Sequence, residues 1–139
     1  HIDPGHYDAA RFETGDGVLR LKGHGGAVGD SRPLTLMPMH LGYEIEVEVT
    51  VSGEAQAGLL LFAAARDYIG YSLSTAGKLV RVQEGYRVYR NTDQPTTGKS
   101  ATALRIVNDR QDVRFYYRDG GRWRILQPSM DVSAGGPLR

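Results

Sequence analysis

The amino-acid sequence predicts an all-β fold, an antiparallel two-sheet β-sandwich of jelly-roll type. Three observations carry this. Apolar residues recur with a period of two rather than 3.6, most clearly in YEIEVEVTV (43–51). The apolar runs are short and separated by turn signals, and the 139 residues include 18 glycines and 6 prolines. No stretch has the length and periodicity of a helix. Ala63-Ala64-Ala65-Arg66 reads as a helical turn at most, too short to nucleate a helix.

The strands follow in order. VLRLK (18–22) is a short alternating segment. In 43–51, Tyr43, Ile45, Val47, Val49 and Val51 share one face, and Glu44, Glu46, Glu48 and Thr50 share the other. That is the pattern of a half-buried antiparallel strand. GLLLF (58–62) is apolar on both faces and is expected at the centre of a sheet. YIGYSL (68–73), KLVRVQ (78–83) and YRVYR (86–90) come next, with turns at Ala76-Gly77 and Glu84-Gly85. ALRIVN (103–108) and DVRFYYR (112–118) are joined by Asp109-Arg110-Gln111, a hairpin-length connection. Asp119-Gly120-Gly121 then turns the chain into RWRIL (122–126). Segments 23–33 and 91–100 read as loops. No linker, repeat or low-complexity tract interrupts the chain, so residues 1–139 are expected to form a single domain. A domain of this size buries a sizeable core without staples.

Composition excludes several functions. With no cysteine there are no disulfides, thiolate metal sites or cysteine nucleophiles, and the compartment is left open. A net charge of +1 gives no strong field to select nucleic acid or an anionic membrane, and neither is expected as a partner. The longest apolar run, AGLLLFAAA, is far short of a bilayer span. The four histidines, His1, His6, His24 and His40, lack metal-ligand spacing. Gly23-His24-Gly25-Gly26 follows no strand-to-helix pattern, and Ser31 and Ser72 sit in no nucleophile elbow. Asp30, Asp119 and Asp131 are carboxylates of the kind that bind a structural calcium, but they are scattered, and loop carboxylates mostly cap turns. No cofactor or metal is expected.

The segment 103–123 holds the chain's one tryptophan. In it Val113, Phe115 and Tyr117 alternate with Arg114, Tyr116 and Arg118, and Leu104 and Ile106 alternate with Arg105. One side of this hairpin is therefore core, and the other carries Arg105, Arg114, Tyr116 and Arg118. Trp123 shares its side with Ile125 and is expected in the core or at its rim. Sugar rings stack on flat aromatic faces, and the fixed fork of arginine suits their hydroxyls. Tyr68, Tyr89, Arg105 and Tyr116 are thus the candidate carbohydrate-binding residues. The plainer reading is that tyrosine and arginine simply cover the solvent side of strands and deter edge pairing.

Taken together, AGLLLF followed by Tyr68-Ile69-Gly70, then LRIVND, VRFYYRDGGRW and MDVS (130–133), resemble the C-terminal concanavalin A-like β-sandwich of family-43 glycoside hydrolases. Those enzymes are β-xylosidases and α-L-arabinofuranosidases. FETGDGVLRLKGHGG, GDSRPLT and YEIEVEV agree in order, so the resemblance covers nearly all of the chain. It implies a non-catalytic accessory module of a hydrolase acting on xylan or arabinoxylan. The glycosidase chemistry would reside in a catalytic β-propeller, in the same chain or in a partner chain, on which the sandwich packs. A plant cell-wall oligosaccharide is the implied ligand, since in some members the sandwich is regarded as xylan-binding. Ala63-Ala64-Ala65 departs from the family's polar, aromatic-containing loop, so that loop is not offered as a sugar contact. The family's first strand and the strands after MDVS are not matched. The chain is therefore expected to be part of a longer polypeptide or to meet a partner that covers the gap.

Two other functions follow from the residues. Glu44 and Glu48 lie on one side of a strand with Glu46 between them, and neighbouring pairs are about 6.6–7 Å apart. That spacing overlaps the carboxylate separation of inverting glycosidases. Concanavalin A-like β-glucanases carry a similar E-x-D-x-E strand, so a small glucanase using Glu44 and Glu48 is one alternative. A charged outer face needed only for solubility explains the same residues. The other alternative is a purely structural domain that docks through a sheet edge. No catalytic set is identified, and the chain is not expected to be an enzyme by itself.

Overall fold

The computed structural model describes residues 12–15, 17–22, 42–64, 66–85, 95–110 and 112–131. These residues form nine strands: β1 (Phe12–Gly15), β2 (Val18–Leu21), β3 (Gly42–Thr50), β4 (Gln56–Ala64), β5 (Asp67–Ser74), β6 (Leu79–Glu84), β7 (Ala101–Asp109), β8 (Asp112–Asp119) and β9 (Arg122–Asp131). The chain divides into two compact units, residues 1–37 and 38–139. In the first, β1 and β2 pair antiparallel from Phe12↔Leu21 to Gly15↔Val18. Four residues are too few for alternation to announce β1, which the sequence reading passed over as a strand.

The second unit is an antiparallel β-sandwich, as expected. One sheet has the order β3-β7-β8-β9 and the other the order β4-β5-β6. Their inner faces meet in one core. Val49, Leu104, Ile106, Val113, Phe115, Tyr117 and Leu126 come from the first sheet, and Tyr71, Leu73 and Leu79 from the second. Leu59 and Leu61 of β4 pack against this cluster from one side. The alternation in β7 and β8 thus points as the sequence required, because only one parity of each strand is apolar enough to be withdrawn from water.

Tyr71 joins the sheets. It is 1% exposed, and its ring centroid lies 5.5 Å from that of Phe115 at an interplanar angle of 59°. Its hydroxyl donates a 3.2 Å hydrogen bond to the Leu126 carbonyl. The strand register explains the acceptor. Tyr116 pairs with Ile125 but Phe115 pairs with Gln127, so Leu126 is the extra residue of a β-bulge. The bulge turns Leu126 into the core and presents its carbonyl to Tyr71.

The segment before β7 ties the two sheets at one end. Leu79 N–H donates to Pro95 O at 3.0 Å, Thr97 N–H to Gly77 O at 2.7 Å, and Val51 N–H to Ser100 O at 2.8 Å. Gly77 is required there. Its φ is +85°, and a Cβ on it would stand 2.5 Å from the Lys99 nitrogen. The β4–β5 approach is similarly close, since a Cβ on Gly70 would lie 2.3 Å from Leu60 Cβ.

Four expectations are corrected. The central strand of the three-stranded sheet is β5, and GLLLF lies in β4 at its edge among the described residues. Its two-sided apolarity has another cause: Leu60 and Phe62 share the outer face with Tyr68, which is itself nearly buried. Ala63 and Ala64 continue β4 through an irregularity in register rather than forming a helical turn. β9 runs on to Asp131, because a second irregularity accommodates Pro128 between the Phe115↔Gln127 and Val113↔Met130 pairs. Trp123 and Ile125 face outward, with Ile125 53% exposed. The bulge makes Leu126 the inward residue, and no single alternation through RWRIL reveals that. The strand expected at 86–90 lies outside the described residues.

Two substitutions check this account by urea denaturation. Tyr71→Phe keeps the ring but leaves the buried Leu126 carbonyl short of a donor, and is expected to lower stability by about 1–3 kcal/mol. Gly77→Ala places a side chain at positive φ against backbone and is expected to destabilise by roughly 1–3 kcal/mol.

Candidate functional site

The outer face of the four-stranded sheet gathers most of the chemistry-bearing residues. Its rows follow from the register that the core imposes. Glu46, Arg105, Tyr116 and Ile125 lie side by side across β3, β7, β8 and β9. Glu44, Val107 and Arg114 form the next row. On the other side, Glu48 pairs with Ala103 in β3–β7, and Arg118 pairs with Trp123 in β8–β9. Directly opposed side chains of this kind sit about 4.5–5.5 Å apart at Cβ.

Arg105 is the hub. Its Nη2 bonds the Glu46 carboxylate, and its Nε lies 3.0 Å from Glu44 Oε1, a charge pair rather than an aligned hydrogen bond. Its guanidinium carbon stands 4.2 Å from the centroid of the Trp123 ring. The Arg118 guanidinium stands 5.0 Å from the same centroid. An indole beside two cations gains electrostatic attraction at its negative faces, about 0.5–1 kcal/mol per contact at exposed sites. Trp123 is half-buried beside the two guanidinium groups.

The four sugar-binding candidates do not form one site. Arg105 and Tyr116 are direct cross-strand neighbours on this face. Tyr68 lies on the outer side of the other sheet, as its alternation requires, but is 7% exposed. Its ring stacks on Phe62 with centroids 6.4 Å apart. Tyr89 lies outside the described residues. The sequence reading missed Trp123 as an outer-face residue, although a lone tryptophan two residues after a Gly-Gly turn was in view. The hidden element was the bulge at Leu126.

The glutamates of β3 also stand on this face. Glu44 and Glu46 are engaged by Arg105, while their side chains remain half-exposed. Glu48 lies across from the small side chain of Ala103. A general acid working near neutral pH is made by burial away from cations. This open, arginine-bound row has a different chemistry. Among the described residues, no group of three or more His, Asp or Glu is placed to hold a metal ion. Asp119 pairs with Arg124 at 2.8 Å, and Asp30 lies outside the described residues.

Tyr68 carries a pH signature. Burial of the ring, and then the Glu84 carboxylate beside it, raise its phenol above the ordinary value of 10.0. A raised folded value means that the unfolded chain loses this proton first. The associated stability is intact below pH 10 and falls as pH climbs from there through the folded value. Tyr68→Phe should therefore flatten the loss of stability above pH 10. In the unsubstituted protein the Tyr68 phenol should ionise above its ordinary value, read as absorbance at 295 nm that the Tyr68→Phe variant lacks.

No family model matches the sequence, and no curated protein matches it. Among solved structures, the crystal structure of the GH43 BlXynB protein from Bacillus licheniformis is similar, with a TM-score of 0.67 and 21% sequence identity. The match covers 84% of this chain and 25% of that one, so this chain spans about a quarter of that protein's length. At that identity the likeness is one of fold.

Proposed function

We propose that this chain is a non-catalytic β-sandwich module of a GH43-like glycoside hydrolase acting on xylan or arabinoxylan. In this reading it packs on a catalytic β-propeller, in the same or a partner chain, and holds saccharide on its four-stranded face. The observation that carries the reading is the fold likeness of most of this chain to a quarter of a GH43 protein. A unit of that share suits an accessory role. The saccharide part is supported by Tyr116 and Trp123, both half-buried, and the exposed Ile125, which are neighbours on the outer face. A sugar ring can lay its C–H face there, and arginine forks beside it suit the hydroxyls. Tyr116 is the contact residue in this reading, and Arg105 orients Trp123.

Calorimetric titration of the chain with xylohexaose tests the binding part. Tyr116→Ala is expected to weaken binding about tenfold, a loss of about 1.4 kcal/mol. Unchanged affinity in that variant, or no binding by the parent chain, would sink it. The intact mass of the source polypeptide tests the accessory part. A polypeptide of this length alone, with no co-purifying propeller, would overturn it.

A further inference from the structure

We infer that the four-stranded face is built for an anionic saccharide, one bearing a uronate carboxylate, with Arg114 and Arg118 as the anion-binding pair. The inference rests on the saccharide reading above and names the ligand's charge. Not all three arginines of this face are free. Arg105 is committed to Glu44 and Glu46, and its side chain is 24% exposed. Arg114 and Arg118 are exposed, and neither meets a carboxylate among the described residues. They lie on the same side of β8 with Tyr116 between them, each about 6.8 Å along the strand from it. The order of outward residues along β8 is therefore anion, cation, aromatic, cation, beginning at Asp112. Trp123 and Ile125 extend the apolar part of this surface onto β9.

A neutral hydroxyl takes a single N–H bond from a guanidinium group, whereas a carboxylate accepts two parallel, charge-assisted N–H bonds from one fork. The acidic residues of the face lie to either side of this pair: Asp109 and Asp112 share the row beyond Arg114 at the hairpin end, and the three glutamates lie on β3. Glu44 and Glu46 lie two strands away and are turned to Arg105. Glu48 lies in the row of Arg118, also two strands away, and the two form no ion pair. Arg114 and Arg118 therefore flank Tyr116 with no carboxylate paired to either among the described residues. A sugar ring resting on Tyr116 or Trp123 would bring a uronate substituent within reach of an arginine at either end.

The test compares two size-matched probes, xylotriose carrying one glucuronic acid and plain xylotetraose, by calorimetry at low ionic strength. The acidic probe is expected to bind about tenfold tighter, the yield of one charge-assisted bidentate contact. Added salt should erase the margin. The margin should shrink in Arg118→Gln and in Arg114→Gln, and vanish in the double variant. Arg114→Gln keeps the test sound if loss of Arg118 loosens Trp123. Equal affinity for both probes would overturn this inference and leave the saccharide reading standing. A preference that survives in the double variant would also overturn it, since the anion would then sit elsewhere. Absence of binding by either probe would overturn both readings.

Discussion

The sandwich depends on one side chain that is apolar over most of its length and polar at its tip. Tyr71 leaves the central strand of the three-stranded sheet, packs its ring against Phe115, and reaches the Leu126 carbonyl on the far sheet. Two sheets that meet only through aliphatic contacts can slide, because such contacts have no direction. A buried hydrogen bond does have direction, and a displaced partner leaves a polar atom unsatisfied in the core. Tyr71 therefore sets which part of β5 lies over which part of β9. The bulge at Leu126 and the phenol at Tyr71 are two halves of one device.

The outer face inherits its pattern from that core. Side chains alternate strictly along a strand, so a register that places Leu104 opposite Tyr117 also places Arg105 opposite Tyr116. In the same way, the pairing of Val47 with Leu104 puts Glu46 beside Arg105. The contacts made outside are individually weak. Half-exposed ion pairs contribute about 0.2–1 kcal/mol each. The fold does not rely on them, which leaves this face free to carry a ligand. The outer side of the other sheet differs, since Leu60, Phe62 and Tyr68 give it an apolar, partly buried surface.

The strands of the larger unit were legible wherever one parity was plainly apolar. YEIEVEVTV, ALRIVN and DVRFYYR fall within or beside β3, β7 and β8, and their inward residues are the expected ones. The turns at Gly77 and at Gly120-Gly121 were legible too, because positive φ selects glycine. GLLLF was misplaced for a physical reason. Apolarity on both sides reports that both sides are covered, and an edge strand under a partly buried outer face meets that condition as well as a central one. Arg105 and Tyr116 were correctly read as sharing a face, while Tyr68 was read as an open aromatic and is nearly buried.

From its order of residues alone, this chain determined its class, its turns and the facing of most strands. Those properties depend on near neighbours: alternation, glycine and the absence of a 3.6 period. Tertiary structure decided the facing of Trp123, the partner of Arg105 and the edge position of β4. Each depends on pairing between distant segments. One extra residue in β9 reverses the parity of a strand, and a strand's own sequence cannot show how many residues its partner will set against it. The candidate site lies where those distant choices meet. Its glutamates, arginines and tryptophan come from four strands that only the register of the core brings side by side.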